Sequence, residues 1–490
     1  MRLKWISLSI ILFLISNILT AQSSNLNEKI QSFYLPQNGL KVILKEQHSM
    51  PMVGMSLFYN VGSHDEPAGV KGMTKLQAHL FEESGYEDGT SAHDIKEKIK
   101  KLTVNNEVYS NLDIFSSTYE FNKNYIEDIL KIEADRMALL EITDSSLVRS
   151  KRKFKIGQGS NMEQFLDEGL SMLSQFQNEH PYVTSPWGKD EQIDTISVQT
   201  AIKFRDQYFN PNNATLVLVG DFKSTNIVGM VNSLFGNIKN KSSVPMDPDF
   251  AINDKEHVLV NDIDSTLAAK ASELPFLYAQ FITCNINIPS YRDDDMIILE
   301  HVIRLLKYDI ALAGKYSKRY TNKLGFLTFP SMSPKLGPSE SRFITGNVFK
   351  RKSPKGLRKK IKKMIIQLSE RGFSEDIINK YKKRERISDY KKGYEYKNVA
   401  WDLGRAELVL GDYQYYNRTT KVLEQLNNED IKRVVSEYLL NQDIHTVEII
   451  WGKKRWHSYI MSFLVNGMIK PLARKEMNKI ALTREERNIF

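Results

Sequence analysis

One histidine and two adjacent glutamates lie close together in the stretch from Gly69 to Thr90, G-V-K-G-M-T-K-L-Q-A-H-L-F-E-E-S-G-Y-E-D-G-T. The spacing of its apolar residues predicts a helix that starts near residue 72 and carries His79, Glu82 and Glu83. Imidazole and carboxylate groups are ligands that Zn²⁺ takes in proteins, and a carboxylate beside the metal can polarise water. These residue types therefore indicate either a working metal site or the remains of one.

Strand-like and helical segments alternate around this helix. A strand-like run at 51–62 precedes it. The segments that follow are helical at 92–102, strand-like at 104–109 and 114–121, helical at 125–141, 144–173 and 198–208, strand-like at 214–220, and helical at 225–235.

The second half of the chain repeats this order of elements. It is strand-like at 277–288, helical at 293–312, strand-like near Phe326 and Phe343, and helical at 354–370 and 374–410, and it closes with a last helix and strand. The segments 198–220 and 427–452 share an aromatic residue near the end of a helix, an asparagine-containing loop, and a strand that ends at glycine. The predicted fold class is α+β, with two lobes of related fold.

The boundary between the lobes is predicted at 239–262. This segment is polar, lacks periodicity and contains Pro245 and Pro248. The lobes then cover 28–238 and 263–452, and the basic tail at 453–490 has no predicted structure.

The first 21 residues have the pattern of a secretory signal peptide. Arg2 and Lys4 precede a mostly apolar run that ends in small residues, with cleavage expected after Ala21. An uncleaved membrane anchor is the alternative, but the apolar run is short for a bilayer. We therefore expect a periplasmic or secreted protein with no stable membrane insertion after the signal is removed.

Composition excludes several other classes of protein. Cys284 is the single cysteine among 490 residues, so no internal disulfide forms. The net charge of +9 is concentrated in the helical runs 350–363 and 381–392, a pattern typical of solvated helix faces. In an exported protein this charge does not indicate nucleic-acid binding, whereas an acidic partner or peptide is compatible with it.

Three segments resemble a known family of peptidases. They are G-S-H-D-E-P-A-G-V-K-G-M at 62–73, H-P-Y with the following W-G-K-D-E-Q-I-D from His180, and F-R-D-Q-Y-F-N-P-N-N-A-T-L-V-L-V-G-D-F ending at Phe222. Together they are similar to the pitrilysin and insulinase zinc peptidases, family M16. The resemblance covers nearly all of the chain after the signal segment. It implies two homologous lobes, each a mostly antiparallel sheet packed with helices, which together form one clamshell half of M16 type.

The resemblance also implies where a zinc site would lie. In the family's motif H-x-x-E-H, two histidines at i and i+4 ligate zinc and the glutamate activates water. Without a gap, the motif falls on Lys75, Ala78 and His79, and the later carboxylate ligand falls on Gln158, with Gly157 as the neighbouring possibility. A lysine ammonium and an alanine methyl supply neither ligand nor base, so we expect a degenerate site without bound zinc.

A second register remains as an alternative. If four residues were inserted after Met73, His79 would be the first ligand, Glu82 the catalytic base, and Glu83 a carboxylate in place of the second histidine. This assignment is chemically possible because carboxylates bind zinc. It would make the protein an active, divergent zinc endopeptidase.

The ungapped register resembles the family's noncatalytic companion subunits, which pair with an active chain to enclose peptides. Such companions hold substrate through an Arg and a Tyr in the second lobe. Aligned on Gly325, these two positions fall on Thr321 and Thr328 here, and the candidates for the substrate-holding role are the neighbouring Arg319, Tyr320 and Phe326. The prediction is thus a noncatalytic subunit of a heterodimeric zinc peptidase, with zinc in the partner subunit and peptides as ligands. A stand-alone peptide-binding or scaffold protein is the remaining alternative.

Overall fold

The computed structural model describes residues 30–67, 69–111, 113–157, 190–243, 257–260, 279–287, 294–312, 327–333, 340–348, 353–441 and 444–451. They form two compact units. The first comprises described residues within Met1–Gly157, Pro186–Met246 and Ile387–Asn417, and the second those within Asp247–Arg386 and Arg418–Phe490.

The strands are numbered in chain order. They are β1 (Gln31–Tyr34), β2 (Lys41–Glu46), β3 (Met52–Tyr59), β4 (Gly85–Tyr86), β5 (Thr103–Ser110), β6 (Phe115–Asn122), β7 (Leu140–Glu141), β8 (Ala214–Gly220), β9 (His257–Val260), β10 (Ala279–Asn287), β11 (Leu327–Ser333), β12 (Glu340–Val348) and β13 (His445–Trp451).

The α-helices are numbered in the same way. They are α1 (Met73–Glu83), α2 (Ala92–Leu102), α3 (Ile126–Leu139), α4 (Asp144–Gly157), α5 (Asp190–Thr195), α6 (Val198–Tyr208), α7 (Ser224–Phe235), α8 (Asp294–Leu312), α9 (Pro354–Arg371), α10 (Glu375–Gly393), α11 (Tyr396–Leu410), α12 (Tyr415–Gln425) and α13 (Asn428–Val435).

The first unit is built on a six-stranded sheet with the order β1-β2-β8-β3-β6-β5. All neighbouring strands are antiparallel apart from the parallel pair β2 and β8. Side chains alternate between the two faces, so Leu216 and Leu218 of β8 join the core beneath α1 while Val217 and Val219 face the opposite side. Every residue of β8 is buried, which explains its nearly continuous apolar sequence.

Helix α11, from the second half of the chain, covers the outer face of this sheet. Its buried residues Val399, Ala400 and Leu403 pack with the sheet's outer apolar side chains. Two glycines allow the close approach: a Cβ at Gly54 would lie 2.2 Å from the Tyr396 backbone, and a Cβ at Gly404 would lie 2.0 Å from the Phe58 ring. The first unit is therefore assembled from segments distant in sequence.

The second unit repeats the sheet of the first. Its five strands have the order β11-β12-β10-β13-β9, with β9 and β13 parallel and the other pairs antiparallel. In reverse, this order is β9-β13-β10-β12-β11, which corresponds strand for strand to β2-β8-β3-β6-β5 of the first sheet. The parallel pair occupies the same position in both sheets. Helices α8, α9 and α13 contribute to its core. This correspondence confirms the predicted α+β class and the two homologous lobes.

Several element bounds differ from prediction. The helical segment predicted at 374–410 is two helices, α10 and α11, which are separated at Tyr394 and Glu395. Strand β9 lies inside the polar segment 239–262. The predicted lobe boundaries, 28–238 and 263–452, stay a prediction. The structure groups residues 387–417 with the first unit.

Other predicted segments lie outside the described residues, namely the signal segment 1–21, part of the helix predicted at 144–173, and the tail 453–490. Within the part of the chain that the structure describes, no helix combines the length and apolar character needed to cross a membrane.

Candidate functional site

The loop before helix α1 fixes where the helix begins. The Glu66 carboxylate accepts hydrogen bonds from the backbone N–H groups of Gly72 and Thr74, each 2.7 Å long. The first N–H groups of a helix have no partner within the helix, and a carboxylate there also interacts favourably with the helix dipole. Asp65 stabilises the preceding turn by accepting a 2.8 Å hydrogen bond from the Gly62 N–H. The segment G-S-H-D-E-P therefore positions α1.

Glu66 is also sensitive to pH. Its side chain is buried, and this burial raises the pKa of the carboxyl to about 7, although the hydrogen bonds from Thr74 and Gly72 act in the opposite direction. The charge at the start of α1 therefore changes near neutral pH.

His79 lies on the half-buried side of α1. Its ring is edge-on to that of Phe154 in α4, with the ring centroids 6.2 Å apart. Its Nε2 atom is buried and makes no hydrogen bond in the described structure. Burial is the main cause of a lowered His79 pKa; the charge of Glu82 opposes this effect, and the charges of Lys75 and Lys153 add to it. The imidazole is therefore neutral at pH 7.

The two other motif positions supply no zinc ligand. Lys75 is half-buried one helical turn before His79, and its ammonium is close enough to lower the pKa of that histidine. Ala78 is half-buried and packs against the apolar core of the unit. Neither side chain can take the role that H-x-x-E-H requires, because an ammonium has no lone pair and a methyl group cannot activate water.

Glu83 ends α1 and is a buried carboxylate that pairs with three partly exposed cations. Its carboxylate lies 2.6 Å from Lys96 Nζ of α2, 2.7 Å from Lys153 Nζ of α4 and 3.2 Å from Arg149 Nε of α4. Burial disfavours the charged form, but the hydrogen bonds from Lys153 and Lys96 outweigh it and lower the pKa of Glu83 to about 2. Glu83 is thus an ionised carboxylate that joins three helices.

Glu82 has a different environment from its neighbour. It is exposed, and its carboxylate lies 3.5 Å from Lys153 Nζ. The structure therefore separates the two residues of the alternative register: one is solvated, and the other is paired with three cations.

The donors on α1 do not fit zinc. A zinc site in a protein needs three or four ligands, and His79 alone qualifies in the ungapped register. In the alternative register, Glu83 would have to exchange its cations for the metal. Among the residues that the structure describes, no three His, Cys, Asp or Glu side chains are close enough to hold a metal ion. Gln158 lies outside the described residues, and the expected absence of zinc stays a prediction.

The substrate-holding residues are expected in the second lobe. Arg319, Tyr320 and Phe326 all lie outside the described residues. Their assignment therefore stays a prediction.

A buried ionic network behind α1 was missed by sequence reasoning. Glu133 and Arg136 of α3 form an ion pair in the core, and Tyr119 of β6 donates to Glu133 and accepts a 2.8 Å hydrogen bond from Arg136. The Arg136 guanidinium lies 5.5 Å from the ring centroid of Phe81 on α1. The spacing Glu-x-x-Arg was the available signal, but the same spacing is common on exposed helices.

The place of strand β5 was also missed. It is the last strand of the sheet that the described residues form, and α1 packs beside it. The strand itself was predicted at 104–109, but its position in the sheet depends on pairing between distant segments. The altered motif therefore lies next to a sheet edge.

Residues 195–291 match the family model described as the peptidase M16 inactive domain. A curated relative, the zinc protease PqqE of Helicobacter pylori (strain ATCC 700392 / 26695), is 20% identical over 429 residues, which cover 84% of this chain and 93% of the relative.

Two solved structures have the same fold. A protease from Helicobacter pylori has a TM-score of 0.69 and 18% identity, with 86% of this chain and 99% of that chain covered. The first half of the periplasmic protease PqqL from Escherichia coli has a TM-score of 0.63 and 11% identity, with 88% and 93% covered.

These similarities and the repeated sheets define a clamshell half of the M16 type. The family model that residues 195–291 match is that of the M16 inactive domain, and the fold is that of M16 proteins. The resemblance stated from the motifs is thereby confirmed.

Proposed function

We propose that the protein is an exported, noncatalytic M16 subunit that binds peptides beside helix α1 and pairs with a catalytically active M16 zinc peptidase. The observation that carries this proposal is the environment of α1, where Lys75 and Ala78 replace a ligand and the base and Glu83 is already paired with three cations.

The chemistry of α1 supports the noncatalytic part of the proposal. Peptide hydrolysis by zinc requires a metal that polarises the carbonyl and a base that activates water. His79 supplies one neutral nitrogen, and Glu82 is exposed, with its carboxylate 3.5 Å from the Lys153 ammonium. Rebuilding a site from Glu83 would break ion pairs that hold its pKa at about 2.

The edge strand supports the peptide-binding part. A strand at the end of a sheet has backbone N–H and C=O groups that a peptide in extended conformation can pair with. Strand β5 has this position, and most of its residues are exposed. A peptide bound there would lie next to α1, where an active partner's substrate would be enclosed.

The first experiment measures zinc per chain in purified protein comprising residues 22–490, after dialysis against trace zinc, by inductively coupled plasma mass spectrometry. The matched variant is His79→Ala. We expect substoichiometric zinc in both proteins. Stoichiometric zinc that disappears in His79→Ala would contradict the proposal, and peptide cleavage by Glu82→Gln would then be the next measurement.

The second experiment tests the partnership. The chain is co-expressed with an M16 protein from the same genome that has an intact H-x-x-E-H motif. We expect the two to co-purify and to cleave peptides faster than the active chain alone. Separate elution with no gain in cleavage would contradict the companion role and favour a stand-alone peptide-binding protein.

A further inference from the structure

One side of helix α11 runs along the edge strand β5. Lys397, Trp401 and Arg405 are spaced four residues apart and therefore lie on the same side of the helix. We call these three residues the α11 stripe. Two of them contact β5 directly, which places the stripe beside the strand that ends the sheet of described residues.

The contacts of the stripe follow the strand. Lys397 Nζ lies 3.3 Å from both Asn105 Oδ1 and Glu107 Oε2. The Trp401 ring is edge-on to that of Tyr109, with the centroids 6.1 Å apart. The Arg405 guanidinium lies 5.9 Å from the Trp401 ring centroid, as in a cation–π contact.

The register of the sheet determines which side chains of a bound peptide would meet the stripe. Asn105, Glu107 and Tyr109 alternate along β5 on the face that α11 covers. A peptide paired with the edge of β5 would continue this alternation. Every second side chain of the peptide would therefore point toward the α11 stripe.

The charges of the stripe differ in their availability. Lys397 is paired with Glu107, the acidic group that faces it from β5. Arg405 is exposed, and no carboxylate of a described residue forms an ion pair with it. The stripe thus presents one available guanidinium, held over an indole ring, beside the strand edge.

We propose that Trp401 and Arg405 form a side-chain subsite that selects an acidic residue in an extended peptide bound at β5. This inference rests on the proposed peptide-binding function and adds the peptide's chemistry. Arg405 binds the carboxylate of the peptide, and Trp401 orients the guanidinium and contacts the aliphatic part of the peptide side chain. Charge complementarity between the guanidinium and the carboxylate provides the selectivity.

The test uses purified protein comprising residues 22–490 and two fluorescein-labelled ten-residue peptides. The acidic probe has glutamate at alternate positions, and the neutral probe has glutamine there. Affinities are measured by fluorescence anisotropy at low salt for the unchanged protein, Arg405→Gln, Trp401→Leu and Arg371→Gln. The last variant is the control, because Arg371 is an exposed arginine in the second unit and its substitution removes the same charge.

The unchanged protein should bind the acidic probe more tightly than the neutral probe. Arg405→Gln should weaken binding of the acidic probe by about 3- to 5-fold and leave the neutral probe unchanged. Trp401→Leu should weaken both, and Arg371→Gln neither. Equal affinity for the two probes, or an unchanged acidic preference in Arg405→Gln, would overturn the subsite alone. Binding of neither probe would overturn the peptide-binding function and the subsite with it.

Discussion

Lys153 Nζ lies 2.7 Å from Glu83 Oε1, and this ion pair joins the end of helix α1 to helix α4. The M16 resemblance assigns zinc ligands to the same two parts of the chain, in the motif on α1 and near position 158. An ion pair therefore joins the two helices near the positions that the resemblance assigns to zinc ligands. The stability of the fold and the ability of α1 to bind zinc both depend on these side chains.

Glu83→Gln should lower the free energy of unfolding at pH 7 by about 1 to 2 kcal/mol, since its three cationic partners are themselves partly exposed. The folded pKa of about 2 is below the usual 4.5, so the contribution of Glu83 is complete above pH 4.5 and is lost as the pH falls toward 2. Urea unfolding followed by circular dichroism at pH 7 and pH 3 measures this difference.

Glu82→Gln is the matched control, because Glu82 is the exposed neighbour on the same helix. It should change unfolding little at either pH. Identical unfolding curves for Glu83→Gln and the unchanged protein would show that the ion-pair cluster does not stabilise the fold.

Glu66→Gln should remove a pH dependence of the opposite sign. The folded pKa of about 7 is above the usual 4.5, so this group's contribution to stability is complete below pH 4.5 and is lost as the pH rises through 7. The free energy involved is about 3 kcal/mol between these limits. Urea unfolding from pH 5 to pH 8 should show a shallower decline with pH in Glu66→Gln than in the control Glu97→Gln, a residue of α2 whose side chain is 43% exposed. Parallel pH profiles in the two variants would contradict this assignment.

Lys75→His combined with Ala78→Glu should give α1 weak zinc binding through two imidazoles, with water in the remaining coordination positions. The change creates H-x-x-E-H with His79, so two imidazoles lie one turn apart on one helix face. Zinc at about 100 µM should raise the melting temperature by about 2 to 4 °C, and EDTA should reverse the rise.

The same double substitution in a His79→Ala background is the control, because it leaves one imidazole. A zinc-dependent rise of equal size in this control would place the metal elsewhere. A rise in the unchanged protein would contradict the noncatalytic assignment of α1.

Gly404→Ala should destabilise the first unit by about 1 to 3 kcal/mol. The added methyl would lie 2.0 Å from the Phe58 ring, so α11 would have to move away from the sheet. Thermal unfolding measures the change. Gly229→Ala on α7 is the control, since its added methyl meets nothing within 4 Å. Equal melting temperatures for the two variants would show that the space between Gly404 and Phe58 accommodates a methyl group.

Elements with local signals were predicted closely. Helix α6 and strand β8 have the predicted bounds, since Ser197 caps the helix by accepting from the Thr200 N–H and Pro211 follows it in a short turn. The division between α10 and α11 was not predicted, because no proline marks it and Glu395 makes no side-chain cap; Gly393, at the end of α10, was the available signal. Strand β9 was missed because four residues in a polar segment give little periodicity.

The candidate site was predicted in its residues but not in its contacts. The motif positions Lys75, Ala78 and His79 follow from spacing along one helix. The cations that pair with Glu83 are Lys96 and, further along the chain, Arg149 and Lys153. No local sequence pattern indicates these pairs. For the same reason, the proximity of Trp401 to Tyr109, nearly 300 residues apart, is a property of the tertiary fold.

The position of α11 has a consequence for how the chain acquires its structure during synthesis. The strands of the first sheet are complete once Gly220 has been made, but the helix that covers their outer face begins at Tyr396. Until then, Ile43, Phe58 and Val217 have no covering helix, so a nascent chain exposes an apolar sheet surface. The first unit therefore reaches its final packing only after most of the second has been translated, and a chaperone that shields this surface would act during that interval.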